Sequence, residues 1–146
     1  MINERAPVIA MSEIEVRAPQ DVVWRTLTDF ESWPRWNGSV KSLSIEGEVA
    51  PGTVFRWKSG LSSIMSTLQR VEAPRLISWT GRTRGIDAAH VFRLAPGAGR
   101  TQVYSEESWA GLLPALLKGK LQRTLEKSLQ EGLEALKAEA ERRAES

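Results

Sequence analysis

The chain has 146 residues, a length that suits one domain with one substantial hydrophobic core. Hydrophobic residues make up 41% of it and charged residues 26%, a composition that excludes a disordered, collagen-like or membrane-embedded chain. Because it has no cysteine and one histidine, His90, it forms neither a disulfide nor a metal site with two histidines, and we expect no metal and no cofactor.

The first predicted element is a strand over residues 7–17, where charged and uncharged side chains alternate with a period of two. Pro19 then opens a short helix, because the missing N–H of proline costs nothing in a first helical turn. The segment Trp-Pro-Arg-Trp at 33–36 predicts one further helical turn. Two short helices are therefore expected after the first strand.

Six further strand-like segments follow, separated by turn sequences that contain glycine or proline. They cover residues 40–46, 53–58, 61–71, the surroundings of Ile77 and Trp79, 88–94 and 101–109. Residues 81–85 are expected to end the fifth strand of the chain. Short alternating segments at these spacings are typical of an antiparallel meander, here of seven strands in all.

The last third of the chain has a helical period from residue 112 to about 142, with Pro114 in the first turn and a tail that is expected to fray from about residue 140. Leucines recur every four residues, at Leu117, Leu121, Leu125, Leu129 and Leu133. At 3.6 residues per turn this stripe slants, as a helix laid across a twisted sheet requires. Gly132 lies beside the stripe, which indicates either close approach of the sheet or room left for a ligand.

This order of elements predicts an α+β fold. A curved seven-stranded antiparallel sheet would wrap around one long C-terminal helix, because that helix is the only large apolar surface able to cover the sheet. An internal cavity is expected where the curved sheet and the helix do not quite meet.

Several segments, spread over nearly the whole chain, carry a family resemblance. They are APQDVVW at 18–24 with LTD at 27–29, WPRW at 33–36, EAPRLISW at 72–79, HVFRL at 90–94 and, after Thr101, EESWAG at 106–111. In this order they resemble the START-like (helix-grip, SRPBCC) superfamily, in its polyketide cyclase/dehydrase and lipid-transport branch. The resemblance implies one ligand-binding domain over residues 1–146 and an apolar cavity between helix and sheet. It implies no shared catalytic residue, because these families place different residues in the same cavity.

Two titratable residues are the candidates for chemistry in such a cavity. His90 shares a strand face with Phe92, and there it could be a core histidine bonded to a neighbouring strand, orient a ligand, or act as a general acid–base. Glu107 faces inward if Val103 does; the alternative is an outward carboxylate paired with an arginine. Glu106 takes its place if a bulge shifts the register. The catalytic residues stay unassigned, with His90 and Glu107 as the candidates.

The predicted ligand-binding residues are those that alternation or the leucine stripe turns towards the cavity. They are Phe55, Trp57, Ile64, Ile77, Trp79, His90, Phe92, Trp109, Leu121, Leu125 and Leu129. The tryptophans near the short helices, Trp24, Trp33 and Trp36, are assigned to core packing instead.

The leading functional hypothesis is reversible binding of an apolar or aromatic small molecule, such as a lipid, a polyketide or a related metabolite. One alternative is a polyketide cyclase or dehydratase that acts in the same cavity by proton transfer. A second is a protein-interaction or chaperone co-regulator module. No G-x-S-x-G, P-loop or H-E-x-x-H motif occurs, which weakens hydrolase, nucleotide-binding and zinc-enzyme interpretations.

Basic residues are densest on the outer face of the last helix, at Lys118, Lys120, Arg123 and Lys127. We interpret them as a solvated face, with docking to a membrane surface or nucleic acid as the alternative. The expected partner is a hydrophobic small molecule, without nucleic acid and without stable membrane insertion, and an exposed tryptophan would favour a homodimer. Because the first residues lack a continuous apolar segment, the expected location is cytoplasmic.

Overall fold

A computed structural model describes residues 1–146. Its strands are β1 (Val8–Val16), β2 (Ser42–Ile45), β3 (Val54–Ser59), β4 (Ser62–Glu72), β5 (Leu76–Thr83), β6 (Ile86–Pro96) and β7 (Thr101–Ala110). Its helices are α1 (Gln20–Thr28), α2 (Trp33–Trp36), which follows a 3-10 turn at Phe30–Ser32, α3 (Leu112–Leu116) and α4 (Lys118–Ala144).

The seven strands form one antiparallel sheet in the order β1-β7-β6-β5-β4-β3-β2. From β2 to β7 each strand pairs with the next one along the chain, and β1 closes the order by pairing with β7 from Val8 opposite Trp109 to Val16 opposite Thr101. The curved sheet wraps around the C-terminal helix, and two short helices follow the first strand. The predicted α+β helix-grip fold is therefore confirmed.

Apolar side chains fill the space between sheet and helices in two separate clusters. The larger one joins α1, the sheet and the C-terminal half of α4, where Leu133 and Leu136 are almost fully buried. The smaller one joins β1 to the N-terminal half of α4 through Val8, Ala10, Leu125 and Leu129. Alternation accounts for this placement, as in β1, where Val8 and Ala10 are buried on the inner face and Met11 is exposed on the outer face.

The predicted single helix from residue 112 is wrong, because the chain forms two helices that meet at Leu117. The backbone of Leu117 leaves the helical region, with φ −117° and ψ 38°. The Leu113 amide donates to the carbonyl of Gly85 across 3.1 Å, which holds α3 against the β5–β6 turn. The following helix must then change direction to cross the sheet, and Leu117 becomes exposed instead of continuing the leucine stripe.

Two further boundaries differ from the predicted ones. β5 continues through Gly81 to Thr83, because Gly81 lies in the strand with ordinary extended backbone and marks no turn. The last helix continues past the predicted end near residue 142 to Ala144; Ala140 is buried, and Arg143 donates to Asp29 at the end of α1 across 3.2 Å. None of the helices combines the length and the apolar character needed to cross a membrane.

Candidate functional site

A cavity of about 350 Å³ lies between the inner face of the sheet and α4. Half of its 26 lining residues are hydrophobic. On the sheet the lining residues include Trp57, Ile64, Ser66, Trp79, Gly81, Ala88, His90, Phe92, Ser105, Glu107 and Trp109, and on α4 they are Thr124, Ser128, Leu129, Gly132 and Leu136. This volume and this mixture of apolar walls with a few polar groups are typical of small-molecule sites.

The opening of the cavity is marked by lining residues whose side chains are also exposed to solvent. Ser62 stands at the start of β4, directly after the β3–β4 turn, and Thr124 and Ser128 lie on the facing side of α4. A ligand would therefore enter between the last helix and the ends of the hairpins.

Aromatic rings form a continuous wall on one side of the cavity. Trp79 lies at its centre, with ring centroids 5.7 Å from Trp33, 5.1 Å from His90 and 5.5 Å from Phe92. His90 and Phe92 stack at 4.5 Å. Such rings supply large apolar area with few freely rotating bonds, so they offer a preformed surface for a flat apolar ligand.

The polar centre of the cavity is a chain of hydrogen bonds between β6 and β7. His90 lies directly opposite Glu107 in the antiparallel register, and its Nδ1 is 3.0 Å from Oε1 of Glu107. The other ring nitrogen, Nε2, is 2.7 Å from Oγ of Ser105. Trp109 donates its indole N–H to Oε2 of Glu107 across 2.7 Å. A carboxyl, an imidazole and a hydroxyl are thus aligned inside an apolar cavity.

Burial shifts the pKa values of the two titratable groups of this centre in opposite directions. The pKa of Glu107 is raised from 4.5 to about 7, because burial penalises the carboxylate more than the Trp109 hydrogen bond stabilises it. Burial lowers the pKa of His90 from 6.5 to about 3. The imidazole is therefore neutral at pH 7, whereas the carboxyl group changes protonation state near that pH.

The protonation state of Glu107 determines which tautomer His90 adopts. When Glu107 is ionised, Nδ1–H of the imidazole donates to it, and Nε2 is left to accept the hydrogen bond of the Ser105 hydroxyl. When Glu107 is protonated, its Oε1–H can donate to Nδ1, and Nε2–H then donates to Ser105. The two states differ by one proton, which is taken up from solvent when Glu107 becomes protonated. Because the imidazole is neutral in both, neither state holds a buried ion pair.

Two further tryptophan N–H groups lie at the cavity. Trp57 donates to Ser66 across 3.1 Å. The indole N–H of Trp36 is buried and has no hydrogen-bond partner. A buried donor without an acceptor carries an unfavourable desolvation cost. A ligand atom that accepts a hydrogen bond from the Trp36 N–H would remove this cost.

The structure places seven of the eleven predicted ligand-binding residues around the cavity. They are Trp57, Ile64, Trp79, His90, Phe92, Trp109 and Leu129. The other four do not line it. Phe55 and Ile77 are fully buried in the larger core, and Leu121 and Leu125 pack against β1 in the smaller one. Alternation indicates the inner face of a strand, but only the curvature of the sheet decides whether that face meets the cavity or the core.

The structure decides between the environments predicted for Glu107. It faces the cavity and not an outward arginine, and the β7 strand has no bulge that would put Glu106 in its place. Glu106 lies on the outer side, 3.9 Å from Arg93. Asp87, the acid nearest to His90 in its own strand, pairs with Arg82 away from the cavity.

Among the lining residues that sequence reasoning missed, four supply aromatic rings or buried hydroxyl groups. Trp33 and Trp36, assigned to the core alone, also line the cavity, and Ser66 and Ser105 supply its buried hydroxyl groups. For Ser105 a signal existed: it belongs to the same alternating face as Glu107. For the two tryptophans no signal existed, because their position depends on how α2 packs over the end of the sheet.

Gly132 is not a point of close approach, because a Cβ atom added there would meet no atom within 4 Å. The other prediction for this residue, room left for a ligand, is consistent with its place in the cavity lining. No group of three or more His, Cys, Asp or Glu side chains is arranged to hold a metal ion.

Solved structures from several bacteria share this fold. The chain superimposes on the Zhui aromatase/cyclase from Streptomyces with a TM-score of 0.82 and 19% identity, over 92% of this chain and 94% of that one. A START superfamily protein from Mycobacterium smegmatis gives a TM-score of 0.79 at 16% identity, over 92% and 97%. A hypothetical protein from Helicobacter pylori gives 0.83 at 15%, over 95% and 91%. At these identities the similarity establishes the fold alone.

No curated protein matches the chain in sequence at a significant level. The sequence profile described as polyketide cyclase/dehydrase and lipid transport, in contrast, matches residues 8–141. That match runs from the first residue of β1 almost to the end of α4, and so includes every strand and the whole lining of the cavity. The chain belongs to the polyketide cyclase/dehydrase and lipid transport family.

Proposed function

We propose that the protein reversibly binds a neutral aromatic or apolar small molecule, such as a polyketide or a related metabolite, in the cavity between sheet and α4. The observation that carries this proposal is a 350 Å³ cavity with an aromatic wall and a single buried polar centre. Removing the apolar part of the ligand from water would supply most of the affinity, at about 25 cal/mol per Å² before entropy costs.

The charges of the lining residues favour a neutral ligand. His90 and Glu107 are the only titratable residues among them, and no lysine or arginine faces the cavity. A carboxylate or phosphate buried there would have no cation to compensate its desolvation, and Glu107 would repel it whenever it is ionised. Phenols, alcohols and ketones carry no such penalty.

Polar groups at two places would orient the ligand. The unpaired N–H of Trp36 suits a carbonyl or ether oxygen. The Ser105–His90–Glu107 centre suits a hydroxyl group, because it offers both donors and acceptors. A ligand with oxygen atoms at both ends of a flat apolar body would satisfy both places.

Filling the cavity from α4 is the experiment that tests this function. Gly132→Leu is expected to weaken binding of the fluorescent probe aminoanthracene at least about tenfold, or about 1.4 kcal/mol. The reason is that the new side chain enters cavity volume in which no atom lies within 4 Å of the Cβ position. Fluorescence titration measures the affinity.

Gly119→Leu is the matched control, since Gly119 lies on the same helix, exposed and outside the cavity lining. It should leave probe affinity unchanged, while both substitutions remove a helical glycine that costs about 1 kcal/mol relative to alanine. Equal probe affinity in the two variants would contradict the proposed function.

The hydrogen-bonded Glu107–His90 pair favours a second candidate, proton-transfer catalysis of a cyclase or dehydratase type. A carboxyl group that titrates near pH 7 beside a neutral imidazole is a suitable acid–base pair. One structural neighbour is an aromatase/cyclase. Mass spectrometry of a bound compound before and after incubation separates the two functions, because a carrier returns the compound unchanged.

A further inference from the structure

Four leucines are exposed on and after the short helix α3. Leu112 is 68% exposed, Leu116 69%, Leu117 46% and Leu113 37%. We refer to these four residues as the leucine face. Soluble proteins seldom expose so many large apolar side chains together without a partner for them. The backbone leaves the helical region at Leu117, where the leucine face ends and α4 begins.

Cations without a salt bridge flank the leucine face along the chain and at the turn that Leu113 contacts. Lys118, Lys120 and Arg123 follow it on α4, and Arg84 precedes Gly85, against which Leu113 packs. None of these four side chains forms a salt bridge. Between Glu107, which is buried in the cavity, and Glu126, the sequence contains no acidic residue. This combination of protruding leucines and unpaired positive charge is complementary to a surface with an anionic outer layer over an apolar interior.

The leucine face lies beside the cavity. Leu113 touches the turn that leads into Ile86, and Gly111 connects the face to Trp109, and both Ile86 and Trp109 line the cavity. A further leucine, Leu61, is fully exposed at the β3–β4 turn, next to Ser62 at the opening. Apolar residues therefore stand on two sides of the route into the cavity.

We propose that the leucine face and its cations dock the protein onto an anionic phospholipid bilayer, with Leu61 as a second contact. The leucines would enter the boundary between headgroups and acyl chains while the lysines and arginines contact lipid phosphates. A ligand could then pass between bilayer and cavity without crossing much water. That purpose rests on the proposed function, whereas docking itself needs no ligand.

Vesicle flotation tests the docking. The protein is expected to float with vesicles of phosphatidylcholine and phosphatidylglycerol, to stay unbound with phosphatidylcholine alone, and to lose binding as salt is raised. Lys118→Gln with Lys120→Gln should weaken binding by about 25-fold, at about fivefold for each cation. Leu112→Ser with Leu116→Ser should weaken it at least about tenfold.

The control is Met11→Ser, which removes a side chain that is 74% exposed on the outer face of β1, and it should leave flotation unchanged. Aminoanthracene binding in the cavity should stay unchanged in the leucine and lysine variants, which distinguishes loss of docking from loss of the proposed function. Absence of flotation with anionic vesicles would overturn the docking proposal, and so would flotation that the leucine substitutions leave intact; an acidic protein would then be the better partner for this face.

Discussion

Replacing Phe30 with alanine is expected to lower the free energy of unfolding by about 3–5 kcal/mol, among the largest effects of any single substitution in this chain. Phe30 is 2% exposed, and its ring lies 4.8 Å from Trp33, 4.7 Å from Phe55 and 5.8 Å from Trp79. Because two of these partners line the cavity, the substitution should also weaken binding of aminoanthracene. Urea unfolding measures the stability.

Tyr104→Ala is the matched control for Phe30→Ala. It removes an aromatic ring of similar size from β7, but the Tyr104 side chain is 43% exposed on the outer face of the sheet. We expect a loss below about 1 kcal/mol, since surface substitutions rarely cost more. Similar losses for the two variants would show that the aromatic cluster around Phe30 does not hold the two short helices to the sheet.

Replacing Glu107 with glutamine changes the free energy of unfolding in a way that depends on pH. We expect this change to be more favourable at pH 8 than at pH 4 by about 3 kcal/mol. The folded protein holds the Glu107 proton up to about pH 7, whereas the unfolded chain releases it near pH 4.5. Wild-type stability therefore falls as pH rises through this window, because an ionised carboxylate is costly to bury. Glutamine has the size of the protonated acid and no charge at any pH.

The contribution of His90 to stability depends on pH in the opposite direction. Its pKa is about 3 in the folded protein against 6.5 in the unfolded chain, so its stabilisation is present above pH 6.5 and is lost as pH falls towards 3. Wild type and Glu107→Gln both keep this histidine. The difference between their free energies of unfolding therefore reports on the carboxyl group. Chemical unfolding of both proteins from pH 4 to pH 8 measures it. A difference that stays constant over this range would contradict the burial of Glu107.

Alternation in the sequence predicted all seven strands, apart from the end of β5, because the two faces of this sheet meet different surroundings. In β3, for example, Phe55 is fully buried and its neighbour Arg56 is exposed. The break between α3 and α4 could not be predicted in this way. The leucine period runs through Leu117 without interruption, and the hydrogen bond that anchors α3 joins the Leu113 amide to Gly85, which is distant in sequence.

The sequence was sufficient to predict individual residues of the candidate site, but not which of them contact one another. Alternation turned both His90 and Glu107 inward, yet only the register of β6 against β7 brings them face to face. That register follows from the short turn that sets Pro96 opposite Thr101, and counting back from it pairs His90 with Glu107. The contribution of Trp36 depends on helix packing over the sheet, which a local pattern does not contain.

Binding inside the cavity is tested most directly by the indole N–H signals of the six tryptophans in a proton–nitrogen correlation spectrum, titrated with naphthol. Five tryptophans line the cavity, namely Trp33, Trp36, Trp57, Trp79 and Trp109, and Trp24 does not. We predict saturable shifts for cavity tryptophans, largest for the unpaired N–H of Trp36, with the Trp24 signal unchanged. Saturation that leaves the five cavity signals in place, or that shifts Trp24 as much as the others, would contradict binding in the cavity.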